Sequence, residues 1–212
     1  MDLTGKIIVS MPSLEDERFF KTVIYMCAHS SEGSMGIIIN KKIDYDLYPD
    51  LLEQLGIDKP LENKKFFIRY GGPVESGRGF ILHSDDMIRK ETLNIDKGVA
   101  LTSTAEFFDD FSLGKSPKNS ILALGYAGWG PGQLEKEIIH NSWMTLSVDS
   151  SFLFDEEVSK KWNQAYKLIG IDPNNLSQSN WIATVPNAIG ASLRNESPNI
   201  STFYSLILNA IN

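Results

Sequence analysis

The sequence is poor in the residues that build disulfide frameworks and local metal sites. It contains one cysteine and three histidines among 212 residues, which excludes an internal disulfide and is compatible with a reducing compartment. No His-x-His, His-Glu-x-x-His or Cys-x-x-Cys spacing occurs, and spacings of this kind mark most local zinc sites. We predict that the chain holds no metal and no cofactor. The alternative is a metal site that folding assembles from His29, His83 and a carboxylate such as Asp16.

Long apolar runs and clusters of basic residues are also missing. No stretch approaches the roughly 20 apolar residues that a membrane span requires, and residues 1–10 lack the basic start and long apolar centre of a secretory signal. The net charge is −7, and the basic residues are scattered in doublets such as Lys41-Lys42, whereas binding to phosphate backbones depends on clustered Lys and Arg. We predict a cytoplasmic protein without a membrane span, in which direct nucleic-acid binding is disfavoured.

What the chain does have is a series of short runs rich in β-branched and aromatic residues, separated by turn signals, which predict strands. These runs are Lys6–Ser10, Thr22–His29, Met35–Asn40, Phe66–Tyr70, Gly79–His83, Val99–Thr102, Ile121–Tyr126 and Trp143–Val148. Helical spacing of apolar residues and helix start and stop signals predict four helices, over Leu47–Leu55, Ser103–Phe111, Gly132–Asn141 and Glu156–Ile169. Because strands outnumber helices and do not alternate regularly with them, the pattern predicts a single domain of the α+β class.

The composition changes after Pro173. Asn and Ser become dense, Pro186 and Pro198 interrupt regular structure, and Phe203–Ile211 is apolar again. We predict a domain over residues 1–172 and an Asn/Ser-rich C-terminal tail over residues 173–212. Docking of the apolar end on the domain is the favoured interpretation, and a membrane-surface or partner anchor is the alternative.

One catalytic candidate is a thiol and an imidazole two residues apart. Strand alternation places Cys27 and His29 on one face, together with Val23 and Tyr25. A nearby imidazole can lower the pKa of a thiol and generate a nucleophilic thiolate. The favoured alternative is a buried cysteine that acts as a small hydrophobic side chain, because free cysteine is among the most buried residue types.

Two glycine-rich turns supply the ligand-binding candidates. Gly125 and Trp129 lie in a segment that follows a predicted strand and opens a predicted helix, which is a context in which backbone amides bind phosphate. The Lys-Ser/Thr pair of a P-loop is missing, however, and Glu135 and Glu137 place negative charge there. A tight crossover with Trp129 packed as a lid is therefore favoured.

The second turn contains Gly71 and Gly72, which end a predicted strand. If these glycines leave backbone donors exposed near Arg78, they form an anion pocket. Arg78 is flanked by glycines that do not crowd its guanidinium. His83 ends the strand that follows and joins the candidates for this site.

Eight segments carry a resemblance to a known family through their order and spacing. They are Met11-Pro-Ser-Leu-Glu-Asp16 followed by Phe19, Tyr25–His29, Gly33–Lys41, Tyr70–Val74, Arg78–His83, Ala123–Trp129, Gly132–Glu137 and Asn141–Trp143. Together they resemble the YqgE/AlgH family of bacterial proteins. The resemblance implies a curved, partly barrel-like mixed sheet with peripheral helices and an indirect role in transcriptional regulation. It implies no known catalytic residue.

Two functional hypotheses follow. The first is a non-catalytic binding or regulatory protein that acts through an unknown protein partner or small ligand, because clustered Gly, Trp, Tyr and Arg suit a recognition surface. The alternative is an enzyme acting on a small anionic or acyl substrate. In it Cys27 is the nucleophile, His29 the base and Arg78 the anion clamp, and His83 completes the site.

Overall fold

The fold is built on one mixed β-sheet. The structure, a computed structural model, describes residues 2–43, 68–90, 92–103, 116–155 and 157–173. The nine strands are β1 (Ile7–Ser10), β2 (Val23–Ser30), β3 (Gly33–Ile38), β4 (Ile68–Tyr70), β5 (Val74–His83), β6 (Leu93–Asp96), β7 (Val99–Ser103), β8 (Ser120–Trp129) and β9 (Trp143–Leu146). They run in the order β6-β7-β5-β8-β3-β2-β1-β9, and β4 pairs with β8. The β4–β8 pair is parallel and the other pairs are antiparallel.

Short helices lie in the second half of the described chain. They are α1 (Gln133–Ile139), α2 (Ser150–Phe154) and α3 (Lys161–Leu168), with 3₁₀ turns at Glu17–Phe19 and Val158–Lys160. No helix within the described ranges is long and apolar enough to cross a membrane.

The sequence-based prediction of fold class is confirmed. Each of the eight predicted strands overlaps an observed strand, and the predicted helices at Gly132–Asn141 and Glu156–Ile169 correspond to α1 and α3. The sheet of the described strands has two ends, β6 and β9, and is open rather than closed into a barrel. The predicted helix Leu47–Leu55, residues 104–111 of the predicted helix Ser103–Phe111, and the terminal segment Phe203–Ile211 lie outside the described residues.

Apolar side chains fill both faces of the sheet. On one face, α2 and α3 cover a cluster that includes Val23 and Tyr25 of β2; on the other face, α1 covers a cluster that includes Ile24 and Met26. All four side chains are at most 1% exposed. β2 is therefore covered on both sides, and burial of so much apolar surface is the main source of stability for such a sheet.

Candidate functional site

A carboxylate on α1 accepts hydrogen bonds from two tryptophans. Glu137 Oε2 accepts from Trp129 Nε1 at 2.9 Å and from Trp143 Nε1 at 2.7 Å, while Oε1 accepts from Gln133 Nε2 at 2.9 Å. Trp129 ends β8 and Trp143 begins β9, so the carboxylate joins the two strand ends that flank α1. A buried indole N–H without an acceptor is costly, and Glu137 satisfies both.

The same tryptophans support the loop between β1 and β2, residues 11–22. The rings of Trp129 and Trp143 pack edge to face with centroids 5.9 Å apart, and Phe19 packs edge to face on Trp143 at 5.5 Å. Edge-to-face packing is a preferred arrangement of aromatic rings. Phe19 therefore anchors the loop to the face of the sheet that α1 covers.

The loop carries a charged pair at its tip. The guanidinium of Arg18 donates to both carboxylate oxygens of Asp16, with Nη2–Oδ2 at 2.7 Å and Nε–Oδ1 at 3.0 Å. These bonds lower the pKa of Asp16. Lys41 Nζ donates to the backbone oxygen of Arg18 at 2.6 Å, so the loop is tied to the chain segment after β3. The Arg18 side chain remains 65% exposed.

Lys21 holds the end of the loop in an unusual backbone conformation. Its φ is +48°, a region that a non-glycine residue rarely adopts. Asn40 fixes this turn, because its Nδ2 donates to the oxygen of Lys21 at 2.8 Å and its Oδ1 accepts from the Val23 N–H at 2.7 Å. The Lys21 ammonium lies 5.4 Å from the ring centres of both Phe20 and Trp162, within cation–π range.

Residues 18–21 thus form an exposed patch on a fixed backbone, which we call the Arg18–Lys21 surface. Phe20 is 55% exposed, and Arg18 and Lys21, which lie in the sequence on either side of Phe19 and Phe20, are exposed as well. Aromatic residues, phenylalanine among them, and arginine are enriched at protein interfaces relative to the rest of the surface.

The sequence-predicted pair of Cys27 and His29 is not brought together. The pairing of β2 with β3 shifts between Met26 and Ala28, so Cys27 is the extra residue of a β-bulge. Cys27 and Ala28 consequently pack on the same face, against the cluster beneath α2 and α3, and His29 turns toward α1. The prediction that His29 shares a face with Cys27 is wrong, because a bulge reverses the alternation beyond it.

Cys27 itself is enclosed in apolar surroundings. It is 2% exposed, and its Sγ lies 3.7 Å from the backbone oxygen of Tyr25. Burial raises the pKa of the Cys27 thiol to about 12, which disfavours the nucleophilic thiolate. This environment matches the interpretation of Cys27 as a small hydrophobic core residue.

His29 bridges β2, β3 and α1. Its Nδ1 lies 2.8 Å from Ser34 Oγ, and its Nε2 lies 3.4 Å from Glu135 Oε1. The imidazole is 5% exposed, and Ser34 is buried beside it. Glu135 and Glu137 therefore serve different partners, in line with the expectation that helical positions two apart do not face one another.

The glycines of the two turns allow close approach of two backbones. A Cβ on Gly71 would lie 2.1 Å from the oxygen of Gly125, and a Cβ on Gly72 would lie 2.1 Å from the carbonyl carbon of Tyr126. Gly125 has φ +70° within β8. The Gly71 N–H donates to the oxygen of Leu124 at 2.7 Å, so this donor is used by the sheet and does not serve an anion.

Arg78 lies in a protrusion of β5. Val74 lies opposite Tyr126 of β8, and Gly79 lies opposite Leu124. The four residues of β5 between Val74 and Gly79 therefore face a single residue of β8. Arg78 Nη1 pairs with Glu75 Oε2 at 3.2 Å, and its guanidinium lies 5.2 Å from the centre of the Phe80 ring. The guanidinium of Arg78 is therefore already paired with a carboxylate of the same chain. An anion clamp would instead use the guanidinium to bind an anionic ligand.

His83 belongs to a buried hydrogen-bond chain. Its Nδ1 lies 2.9 Å from the oxygen of Ser84, and its Nε2 lies 2.8 Å from Thr102 Oγ1. A carbonyl only accepts, so Nδ1 carries the proton and Nε2 accepts from the Thr102 hydroxyl. Thr102 in turn lies 2.8 Å from Thr92 Oγ1. Burial lowers the pKa of His83, which favours the neutral imidazole.

The structure therefore disperses the residues of the proposed enzyme site. Cys27 and His29 lie on opposite faces of β2, Arg78 lies on the β5 protrusion, and His83 lies between β5 and β7. Within the described ranges, no three His, Cys, Asp or Glu side chains come together in a group that would hold a metal ion.

A comparison with models of protein families shows which family the chain belongs to. A family model described as AlgH-like matches residues 7–174. The chain belongs to the AlgH-like family. A UPF0301 protein of Bradyrhizobium diazoefficiens is 47% identical over 183 residues, which cover 82% of this chain and 86% of that relative. A UPF0301 protein of Nitrobacter hamburgensis is 48% identical over 183 residues, with 82% and 85% covered.

Solved structures agree with this membership. The solution structure of the AlgH protein from Pseudomonas aeruginosa superposes with a TM-score of 0.70 at 33% identity, covering 81% of this chain and 91% of that chain. A crystal structure of a Corynebacterium diphtheriae protein gives a TM-score of 0.60 at 18% identity and covers 78% and 86%. The second likeness concerns the fold alone. The resemblance inferred from the eight sequence segments is thus confirmed.

Sequence reasoning missed the residues that support the loop between β1 and β2. In the sequence Glu137 indicates only negative charge near a candidate phosphate site, yet in the structure it accepts from both indoles. One usable signal was the spacing of Trp129, Glu137 and Trp143, which puts an acceptor on a short helix between two tryptophans at strand ends. The Arg18–Lys21 surface had no such signal, because its exposure depends on how Phe19 packs.

Proposed function

We propose that this chain is a non-catalytic binding protein of the cytoplasm that recognises a protein partner through the Arg18–Lys21 surface. The observation that carries the proposal is the contrast between two groups of residues. The candidate catalytic side chains are dispersed and engaged internally, as Cys27 and His83 illustrate. The side chains of Phe20 and of Arg18, which is paired with Asp16, are instead exposed on a backbone that is held from several sides.

Preorganisation supports recognition at this surface. The loop is fixed before any partner arrives, by Phe19 on Trp143, by Lys41 on the Arg18 oxygen and by Asn40 on the turn at Lys21. A binding loop that is already ordered loses less conformational entropy on association. The positive φ of Lys21 is local backbone strain, and such strain concentrates at functional sites.

A protein partner also fits the regulatory role that the family resemblance implies. The net charge of −7 opposes direct contact with nucleic acid. Regulation of transcription would then be indirect, through a protein that the Arg18–Lys21 surface binds.

The enzyme alternative gains no support from this geometry. A thiol enzyme built on Cys27 and His29 requires the imidazole to reach the thiol, but the bulge in β2 turns the two side chains to opposite faces. It also requires an accessible thiolate, and the thiol of Cys27 is buried with a raised pKa.

The test is affinity capture of the full chain from native cytosol, analysed by mass spectrometry for proteins, nucleic acid and small molecules together. The chain is compared with the double variant Arg18→Ala/Phe20→Ala and with the control Ile88→Ala, which removes an exposed apolar side chain elsewhere. We expect a stoichiometric protein partner that the control retains and the double variant loses. Capture of a small molecule alone, or equal capture by all three chains, would contradict the proposal.

A further inference from the structure

A groove lies beside the end of the last described helix. Its volume is about 620 Å³, and it is formed by residues 147–149 after β9, by α2 and by Leu168 of α3. The apolar part of its lining consists of Val148, Phe152 and Leu168, and the rest consists of two serines and two aspartates, Asp149 and Asp155. The three apolar side chains give an apolar chain segment a place to pack.

The apolar surface continues past the groove at the end of α3. Leu168 is 61% exposed and Ile169 is 38% exposed, and they are two of the five large hydrophobic side chains exposed within the described ranges. The preceding part of α3 turns Trp162, Ala165 and Tyr166 into the core. Leu168 and Ile169 therefore extend the apolar part of the groove lining, and contiguous exposed apolar surface is typical of interaction sites.

The chain itself continues from this place. The described residues end at Pro173, five positions after Leu168, and the match to the family model ends at residue 174. The sequence then runs to residue 212 and ends in the uncharged apolar segment Phe203–Ile211. A long segment outside the family domain thus begins next to the groove and carries apolar residues at its far end.

We infer that Phe203–Ile211 docks in this groove, against Leu168 and Ile169 of the same molecule. The docked segment would be joined to the groove through the intervening 29 residues, and a flexible chain of that length has a root-mean-square span of about 30 Å. A tether of that length gives an effective concentration on the order of millimolar. Docking within one molecule therefore prevails over docking of a second copy at micromolar protein concentration.

The charge of the extension favours this groove over a membrane surface. Residues 174–212 contain two charged side chains, Arg194 and Glu196, which cancel. Segments that bind anionic lipid depend on several basic residues beside their apolar face. The extension has no such cluster. Its apolar residues are therefore better suited to burial against the protein than to binding at a membrane surface.

Disulfide trapping in the full chain tests the docking. Leu168→Cys is combined with Leu206→Cys in one chain and with Leu208→Cys in another, and Cys27 is left in place because it is buried. The matched control combines Ile88→Cys with the same tail cysteines, since Ile88 is 49% exposed on the turn after β5. Oxidation is followed on non-reducing gels, with the cross-linked peptides assigned by mass spectrometry.

We expect an intramolecular bond from residue 168 to at least one of the two tail positions, formed at least about tenfold faster than the bond from residue 88. Equal rates at residues 168 and 88 would overturn the inference. So would bonds that are mainly between molecules, which would indicate a second copy in the groove. Loss of the 168 bond when vesicles of phosphatidylcholine and phosphatidylglycerol are added, with the protein floating on them, would likewise contradict it.

Discussion

Cys27 and His29 lie on opposite faces of β2, although only Ala28 separates them. A single-residue bulge in the pairing with β3 causes this, so the thiol enters the core beneath α2 and α3 while the imidazole meets Glu135 on α1. Because the side chains lie on opposite faces, the imidazole of His29 cannot activate the thiol of Cys27 as their spacing in the sequence suggests. It also leaves His29 as a link between the sheet and α1, the helix that carries Glu137.

The first prediction concerns the reactivity of the Cys27 thiol. With a pKa of about 12, only about one thiol in ten thousand is ionised at pH 8. We expect native protein to resist iodoacetamide for hours at pH 8, with labelling that follows global unfolding and becomes rapid in urea. Labelling of the native protein at the rate of a free cysteine, measured by intact-mass spectrometry, would contradict this description.

The second prediction concerns Glu137. Truncation in Glu137→Ala leaves the indole N–H groups of Trp129 and Trp143 without their acceptor, and each buried unsatisfied donor costs about 1–3 kcal/mol. We expect a loss of about 2–3 kcal/mol in the free energy of unfolding, seen as a Tm lower by about 5–10 °C. Lys136→Ala is the control, because Lys136 is exposed on the same helix. Equal Tm values for the two variants would show that the indole bonds contribute nothing.

The third prediction is a pH dependence that His83 contributes. Burial lowers its pKa in the folded protein below the unfolded value of about 6.5. The unfolded state therefore binds more protons below pH 6.5, so the stabilisation is fully present above that pH. It is lost as pH falls toward the folded pKa, by at most about 1.4 kcal/mol per pH unit.

Urea unfolding at pH 7.5 and 5.5 measures this effect for the wild type and for His83→Gln. We expect the variant to be less stable at pH 7.5, because it breaks the chain to Thr102, and to lose less stability on acidification. His140→Gln, at an exposed position, serves as the control. An unchanged pH slope in His83→Gln would be evidence against a neutral, buried imidazole.

The fourth prediction concerns the close approach at Gly71. A Cβ there would lie 2.1 Å from the backbone oxygen of Gly125, whereas a Cβ on Gly77 meets no atom within 4 Å. We expect Gly71→Ala to cost about 3 kcal/mol or more, since backbone atoms must move, and Gly77→Ala to stay within about 0.5 kcal/mol. Denaturant unfolding of both variants measures the difference. Similar midpoints for the two would rule out the tight crossing of the β4–β5 turn and β8.

The strands and the class of the fold were predictable because periodicity and turn residues are local signals. The run at Thr22–His29 is largely apolar on both faces, which predicts a central strand. β2 indeed lies inside the sheet, between β3 and β1. The sequence patterns did not predict the short elements β6 and α2. Leu93–Asp96 has exposed polar residues at alternate positions and forms the edge strand β6, and α2 is a helix of five residues.

The candidate site was less predictable because it depends on irregularities and on contacts between distant elements. No local pattern in the sequence predicts that Cys27 is the extra residue of a β-bulge, because the bulge arises from the pairing of β2 with β3. Likewise, the prediction of a strand beginning at Gly79 missed its true start at Val74, because the protrusion around Arg78 interrupts the pattern. Phe20 is exposed beside Phe19, which packs on Trp143, and that packing is a contact between residues far apart in sequence.

The most direct measurement is the dissociation constant between the full chain and the protein partner that it captures, by isothermal titration calorimetry. If the Arg18–Lys21 surface recognises that partner, Phe20→Ala and Arg18→Ala should each weaken binding by about tenfold or more, as interface residues that dominate the energy do. Ile88→Ala and Cys27→Ser should change it less than about twofold. Unchanged binding by both loop variants, or a loss confined to Cys27→Ser, would contradict the account.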